Sequence, residues 1–555
     1  MTQIGPTSER TFAAGVALLF FALGVPHTAA AASCASLAGT TVPNTTIITA
    51  QSIPAGTYTA ADGTVLPDMP AFCRLAGFVS TVPGEHVGIE VWLPTSTWNG
   101  RFEGVGNGGF GGAFVYSAMG TPLQQGFAVA NTDTGHTGGT VGAIGQVLPW
   151  AQNPVTLLDW GHTSIHLMTV SAEALVKQFY GRASAFAYYD GCSTGGAEAM
   201  EEAEFYPDDY DGIHAGSPGM DYSHLMESFL WGALPSSKNP AAALPASALT
   251  LLNNAVLASC SRDQAVASDG FLNDPRDCHF DPGVLQCKAG QDPSTCLSGP
   301  QITAVRHIYS AVTNPRTGLE LYPGFERGSE GQWSLIQGEL VPFFAQPLLA
   351  NTVFDNPNWD WTTFNFDSDA ALVDQKLSPS INATNPDLSL FASHGGKLIM
   401  TQGWADALNA QTLPIEYFNS VVIAQHSISP TMALDETQEF FRLFMAPGMS
   451  HCGGGPGPNV FDSVGPLQQW VEHGMAPREI VATKYVNDTP ADGILMTRPL
   501  CPYPMVGRYK GVGAPSDAAN FDCVNDQNDF TGDLLREIAN IYQSLRIGDQ
   551  ANLPS

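Results

Sequence analysis

Ala185-Phe186-Ala187-Tyr188-Tyr189-Asp190-Gly191-Cys192-Ser193-Thr194-Gly195-Gly196 is the stretch that decides the fold. Ala185 to Tyr189 is a short apolar and aromatic run, which predicts a strand. Gly195 to Tyr206 reads as a helix. Between them, Gly191 to Gly195 fits G-x-S-x-G, a sharp strand-to-helix turn whose glycines let the backbone double back and lift the serine hydroxyl clear. In a chain with 57 glycines the pentapeptide alone is a weak signal. Its weight comes from the strand before it and the helix after it.

The neighbouring segments continue the alternation. Arg101 to Val105 reads as a strand that runs into a glycine-rich loop, Gly106-Asn107-Gly108-Gly109-Phe110-Gly111-Gly112. Thr163 to Tyr180 reads as a helix, because Ile165, Met168, Ala172, Leu175, Val176 and Phe179 recur at helical spacing and Gly181 follows as a stop. Gly212 to Ala215 predicts the next strand. Alternating strands and helices imply an α/β sheet. From about Asp221 to Ser393 the pattern fades into an irregular region rich in Asn, Pro and Asp. Strands resume at Lys397 to Thr401 and Phe440 to Met445, and an amphipathic helix is expected at Asp533 to Arg546. The 555 residues exceed one ordinary domain,. We read residues 33–220 and 390–555 as one α/β catalytic domain and 221–389 as a lid domain inserted into it.

A serine nucleophile needs a base and a group that orients the base. The strand Lys397–Thr401 leads to Asp406, and the strand Phe440–Met445 leads to His451. Ser193, Asp406 and His451 therefore all lie just past strand ends, where open α/β sheets place their sites. Their chain order is that of the α/β-hydrolase fold. Aspartates in such loops commonly cap helices, so Asp406 is singled out by its place beside the other two. The oxyanion would be bound by the backbone N–H of Thr194, directly after the nucleophile, and by that of Gly109 in the glycine loop.

Residues 1–32 read as an export signal: Arg10 gives the positive flank, with Glu9 beside it, Thr11 to Val25 is apolar, and Ala29 to Ala32 offers small residues for cleavage. The run is too short for a comfortable membrane span. The expected location is outside the cytoplasm, extracellular or periplasmic. Ten cysteines fit that compartment,. Spacing pairs Cys34 with Cys73, Cys260 with Cys278, Cys287 with Cys296, and Cys501 with Cys523. Cys192 and Cys452 remain. One precedes Ser193 and the other follows His451, so contact between serine and histidine would bring the two sulfurs within bonding reach; the alternative is two unrelated buried thiols. The net charge of −30 disfavours nucleic acid and anionic membranes as partners,.

Six segments carry a resemblance: Gly106-Asn107-Gly108-Gly109-Phe110, Asp133-Thr134-Gly135-His136-Thr137, Gly191-Cys192-Ser193-Thr194-Gly195-Gly196, Tyr210-Asp211-Gly212-Ile213, Gly403-Trp404-Ala405-Asp406 and His451-Cys452. Together they resemble the tannase and feruloyl esterase family, which includes a branch that cleaves mono(hydroxyethyl) terephthalate. The resemblance implies an α/β-hydrolase core, a large lid between nucleophile and acid, a disulfide joining the catalytic loops, and hydrolysis of small aromatic, phenolic esters without a required cofactor. Family members often carry an arginine after Gly196; here Ala197 stands there. Members also often hold a structural calcium in the lid. Here Cys260 is followed by Asp263 and later Asp269, with at least one usual carboxylate missing, and calcium wants six to eight oxygens; no metal is assigned. A lipase or peptidase using the same three residues, and a phenolic-binding protein without catalysis, are the competing readings. Lid aromatics available to stack on a phenolic ring are Trp231, Phe343, Phe344, Trp359, Trp361, Phe364 and Phe366. Lid cations available to a substrate carboxylate are Arg306, Arg316 and Arg327.

Overall fold

The strand that ends at Cys192 lies inside a nine-stranded sheet. A computed structural model describes residues 33–551 apart from 262–265, 267, 426–428 and 526; the expected signal segment and Asp263 lie outside the described residues. The sheet strands are β1 (Thr45–Ile53), β2 (Phe72–Ser80), β3 (His86–Pro94), β4 (Arg101–Val105), β5 (Ala128–Thr132), β6 (Phe186–Cys192), β7 (Gly212–Gly216), β8 (Lys397–Gly403) and β9 (Phe441–Ala446). Their spatial order is β1-β2-β3-β5-β4-β6-β7-β8-β9. β1, β2, β3 and β5 pair antiparallel in turn. Every later pair, from β5·β4 to β8·β9, is parallel.

Parallel strands covered on both faces lack the polar alternation of a half-exposed sheet. In β6, Tyr188 and Tyr189 are both fully buried, on opposite faces,. Tyr189 packs in the core that includes Ile165, Met168 and Leu175 of α2 (Ser164–Tyr180). Tyr188 packs with Met119 and Leu123 of α1 (Tyr116–Gln124) and with Leu467 and Trp470 of a helix near the C-terminus, Val464–His473. The helix α2 stops where the sequence predicts, at Gly181, whose φ of 72° is left-handed backbone that glycine adopts without strain,. A third helix, α3 (Thr194–Phe205), follows the nucleophile turn.

Between β7 and β8 the irregular expectation is corrected. The segment contains α4 (Tyr222–Lys238), α5 (Ala246–Cys260) and α6 (Gly299–Tyr309), with shorter helical turns and one small ribbon, Val312–Thr313 with Glu320–Tyr322. These helices escape a periodicity search because Pro235 sits inside α4 and polar residues interrupt the apolar stripes. The body has its own apolar core, with Trp333, Ile336, Leu348 and Leu349 fully buried. That core also takes in Leu148, Trp150 and Trp160 from the segment that follows β5. Five disulfides join Cys34–Cys73, Cys192–Cys452, Cys260–Cys278, Cys287–Cys296 and Cys501–Cys523. The last helix runs Gln527–Ala551, longer at both ends than the pattern predicts. Among the described residues no helix is long and apolar enough to cross a membrane.

Candidate active site

Ser193 stands at the turn between β6 and α3 with φ 65° and ψ −118°. This left-handed region disfavours a residue with a Cβ, at a cost of about 1–3 kcal/mol, and such strain clusters at functional positions. The flanking glycines are there for space. A Cβ on Gly191 would lie 2.4 Å from the Gly195 carbonyl oxygen, and one on Gly196 would lie 2.4 Å from that of Gly216. The helix can therefore start directly on the strand end, with Ser193 at its rim.

Asp406 and His451 come from the loops after β8 and β9. Asp406 is fully buried, and four donors replace its lost hydration,. His451 Nδ1 is 2.9 Å from Oδ2, and Gln402 Nε2 is 3.1 Å from the same oxygen. The N–H groups of Leu408 and Asn409 reach Oδ1 at 2.8 and 3.1 Å. Because the carboxylate only accepts, the proton of the neutral imidazole sits on Nδ1 and leaves Nε2 as the acceptor. Nε2 is buried and has no hydrogen-bond partner among the described residues. No hydrogen bond links it to Ser193, as is common before substrate binds. The Cys192–Cys452 bridge, with a Cα–Cα distance of 5.9 Å, ties together the chain on either side of the two residues.

The glycine loop after β4 lies against the start of α3. Thr194 Oγ1 donates to the Gly109 carbonyl at 2.6 Å, and Gly195 N–H donates to the Asn107 carbonyl at 2.9 Å. Gly109 has φ 58°, and a Cβ there would lie 2.1 Å from the Thr140 carbonyl oxygen. The backbone N–H groups of Gly109 and Thr194 have no hydrogen-bond partner among the described residues. From the segment between β7 and β8, Tyr222 at the start of α4 donates its hydroxyl to the Gly109 carbonyl at 3.2 Å. Neither Tyr222 nor Gln402 was legible in advance, since a single polar residue at a loop or helix start carries no pattern.

Phe344 packs edge-on against Phe110 of the glycine loop, with ring centroids 5.4 Å apart. The exposed Phe343 offers its carbonyl to Gly142 N–H at 2.9 Å. Trp231, Trp359, Phe364 and Phe366 instead pack among one another, Phe354 and His307, and Trp361 packs at the edge of the apolar core around Trp333. Arg306 and Arg316 are held by Asp281 and Asp367, each at 2.8 Å, and Arg327 lies 4.2 Å over the Tyr309 ring. Arg327 lines a cavity of about 560 Å³ beside the C-terminal helix, together with Arg276 and Glu416; neither Ser193 nor His451 reaches it. Asp269 does not fit a calcium site, because its carboxylate is taken by the Arg498 guanidinium at 2.7 and 2.8 Å. Among the described residues no three acidic, histidine or cysteine side chains converge as metal ligands.

Several carboxyls are buried around α3 and α4. Burial pushes Glu198 and Glu204 up to about 7 and Glu227 up to about 8. Such groups keep protons that the unfolded chain, titrating near 4.5, has already released. The native state then binds more protons than the unfolded state, and stability falls as pH rises. His162, pushed down to about 4 by burial, acts the other way, but only below 6.5. The melting temperature should therefore drop between about pH 6.5 and pH 8.5. A calorimetric scan series that is flat or rising over that range would contradict the burial of these carboxyls.

Comparison with known proteins follows the same outline. A family model described as "Tannase and feruloyl esterase" matches residues 73–524. An uncharacterized esterase of Xanthomonas campestris pv. campestris is 38% identical, with 93% of this chain and 94% of that protein aligned. A probable feruloyl esterase B-2 of Aspergillus flavus is 33% identical over 77% of this chain and 83% of its own. The crystal structure of feruloyl esterase B from Aspergillus oryzae superposes with a TM-score of 0.80 at 30% identity, covering 88% of this chain and 99% of that one. Tannin acyl hydrolase from Aspergillus niger shares the fold, with a TM-score of 0.71 at 19% identity over 90% of this chain and 96% of that one.

Proposed function

The chain belongs to the tannase and feruloyl esterase family and is a carboxylic ester hydrolase of that type; from this we propose that it is an exported serine esterase that cleaves esters of aromatic, phenolic acids through an acyl-enzyme on Ser193. One observation carries the mechanism. A buried aspartate orients a histidine whose free Nε2 belongs to a loop disulfide-bonded to the residue before the serine.

In the first step Ser193 Oγ attacks the ester carbonyl while His451 Nε2 takes its proton. Asp406 keeps the Nδ1–H tautomer in place and stabilises the imidazolium that forms. The N–H groups of Thr194 and Gly109 receive the negative charge that develops on the carbonyl oxygen. Collapse of the tetrahedral intermediate breaks the bond to the alcohol oxygen, which leaves with the proton from His451. Water then attacks the acyl-serine, giving its proton to His451, and the second collapse returns that proton to Ser193 and frees the acid. On the acyl side, Phe344, packed edge-on against Phe110 of the glycine loop, supports a ring-stacking preference,. Export is supported by the apolar run at 11–25 and by five disulfides,.

A panel of methyl ferulate, methyl gallate, mono(hydroxyethyl) terephthalate and p-nitrophenyl butyrate tests this reading. Turnover of at least one aromatic ester well above that of the butyrate is expected. Activity confined to the butyrate would remove the aromatic assignment and favour a general esterase or lipase.

A further inference from the structure

Glu198 is a buried acid that the mechanism does not use. It lies one turn along α3 from Thr194 and is 1% exposed. Its Oε2 accepts two hydrogen bonds, from Asn107 N–H at 2.9 Å and from the Tyr189 hydroxyl at 2.7 Å. Asn107 is the second residue of the glycine loop. Its side-chain Nδ2 donates to the carbonyls of Ala113 and Thr132, at 3.1 and 2.9 Å, which close the far side of that loop. Its own carbonyl accepts from Gly195 N–H. Every backbone polar group of Asn107 is thus tied to the nucleophile helix, and Gly109 follows two residues later.

Resting on the esterase reading, we infer that Glu198 is a positioning residue for the reaction: through Asn107 it fixes the glycine loop on the nucleophile helix, and so fixes the Gly109 N–H where the oxyanion forms. A helix carrying the nucleophile would otherwise favour a small or apolar residue at a fully buried position. An acid is kept there at the cost of desolvation, and its Oε1 is left buried without a partner among the described residues,. The side chain that faces it from β6 is Tyr189, from α4 Tyr222, and along α3 itself Glu201 and Glu202. None of these is a cation, so Glu198 is not one half of an ion pair. Burial pushes the carboxyl up to about 7, which makes a neutral amide of the same shape a faithful substitute.

The test compares Glu198→Ala, Glu198→Gln and Glu198→Asp with the wild type on an aromatic ester. Active sites are counted by end-point labelling with a fluorophosphonate. Loss of one well-placed oxyanion donor costs about 10²–10³ in kcat; a loosened donor should cost part of that. Glu198→Ala should lower kcat per labelled site roughly 10- to 100-fold with KM within about threefold. Glu198→Gln, which still accepts from Asn107 N–H, should recover most of the rate. A merely structural glutamate would lower the melting temperature and the labelled fraction while leaving kcat per site unchanged, and that result overturns the inference. Where the alanine variant does not fold, Glu198→Asp, which retracts the carboxylate from Asn107, decides by the same per-site criterion. A wild type inactive on every aromatic ester but active on the butyrate would remove the aromatic assignment and not this inference, and the same per-site comparison is then read on the butyrate.

Discussion

Ser193→Ala should lower kcat/KM for an aromatic ester by roughly a millionfold, the scale seen when a nucleophile that acts as one unit with its base is removed. The substitution removes one oxygen and little else. Alanine at φ 65° carries the same Cβ strain as serine,, and the neighbouring contacts of Gly191, Thr194 and Gly195 are made by atoms that remain. The melting temperature should therefore hardly move. What activity survives would come from the oxyanion donors and from substrate binding alone. A loss of less than about a hundredfold would mean that another residue attacks the ester. The check is steady-state kinetics at matched protein concentration, with circular dichroism on both proteins to show equal folding.

Asp406→Asn is the second large effect. The aspartate is fully buried and accepts from His451 Nδ1 at 2.9 Å. An asparagine fits the same space, but it can offer an amide donor where a carboxylate oxygen accepted. The imidazole then carries its proton on Nε2, toward Ser193, and can no longer take the serine proton. Such a tautomer switch costs about ten-thousandfold in kcat. KM should change little, because Asp406 is fully buried behind His451. A residual rate that climbs with pH, as hydroxide replaces the base, would accompany the loss. If Asp406→Asn retained more than about a tenth of the wild-type kcat, the orienting role would belong elsewhere.

The local reading of the sequence worked where a sharp backbone requirement coincides with a chemical one. Gly191-Cys192-Ser193-Thr194-Gly195 is such a case: steric clearance fixes the glycines, and an apolar and aromatic strand leads into the turn. Asp406 and His451 were legible because each lies just beyond a continuous buried strand. The antiparallel strands β1 to β3 gave no comparable signal, since β1 has no fully buried residue and mixes Thr, Gln and Ser into an edge position. Between β7 and β8, packing rather than periodicity makes the helices. Trp333 and Trp160 sit in one core although 173 residues separate them, and no local pattern reports such a meeting. The glutamates of α3 carried no signal of their place: glutamate is ordinarily an exposed residue, yet Glu198, Glu201 and Glu202 are buried,. Their burial follows from α3 packing on β6 and β7 and against the turn Asp159–Thr163.

Covalent labelling shows whether Ser193 carries the oxygen that attacks the ester. The protein is incubated with a fluorophosphonate, digested, and the modified peptide sequenced by mass spectrometry. A single adduct on Ser193, absent from Ser193→Ala and slowed when an aromatic ester competes, is the result expected. An unmodified Ser193 in protein that turns over the ester, or an adduct on another residue that tracks the activity, would contradict the mechanism.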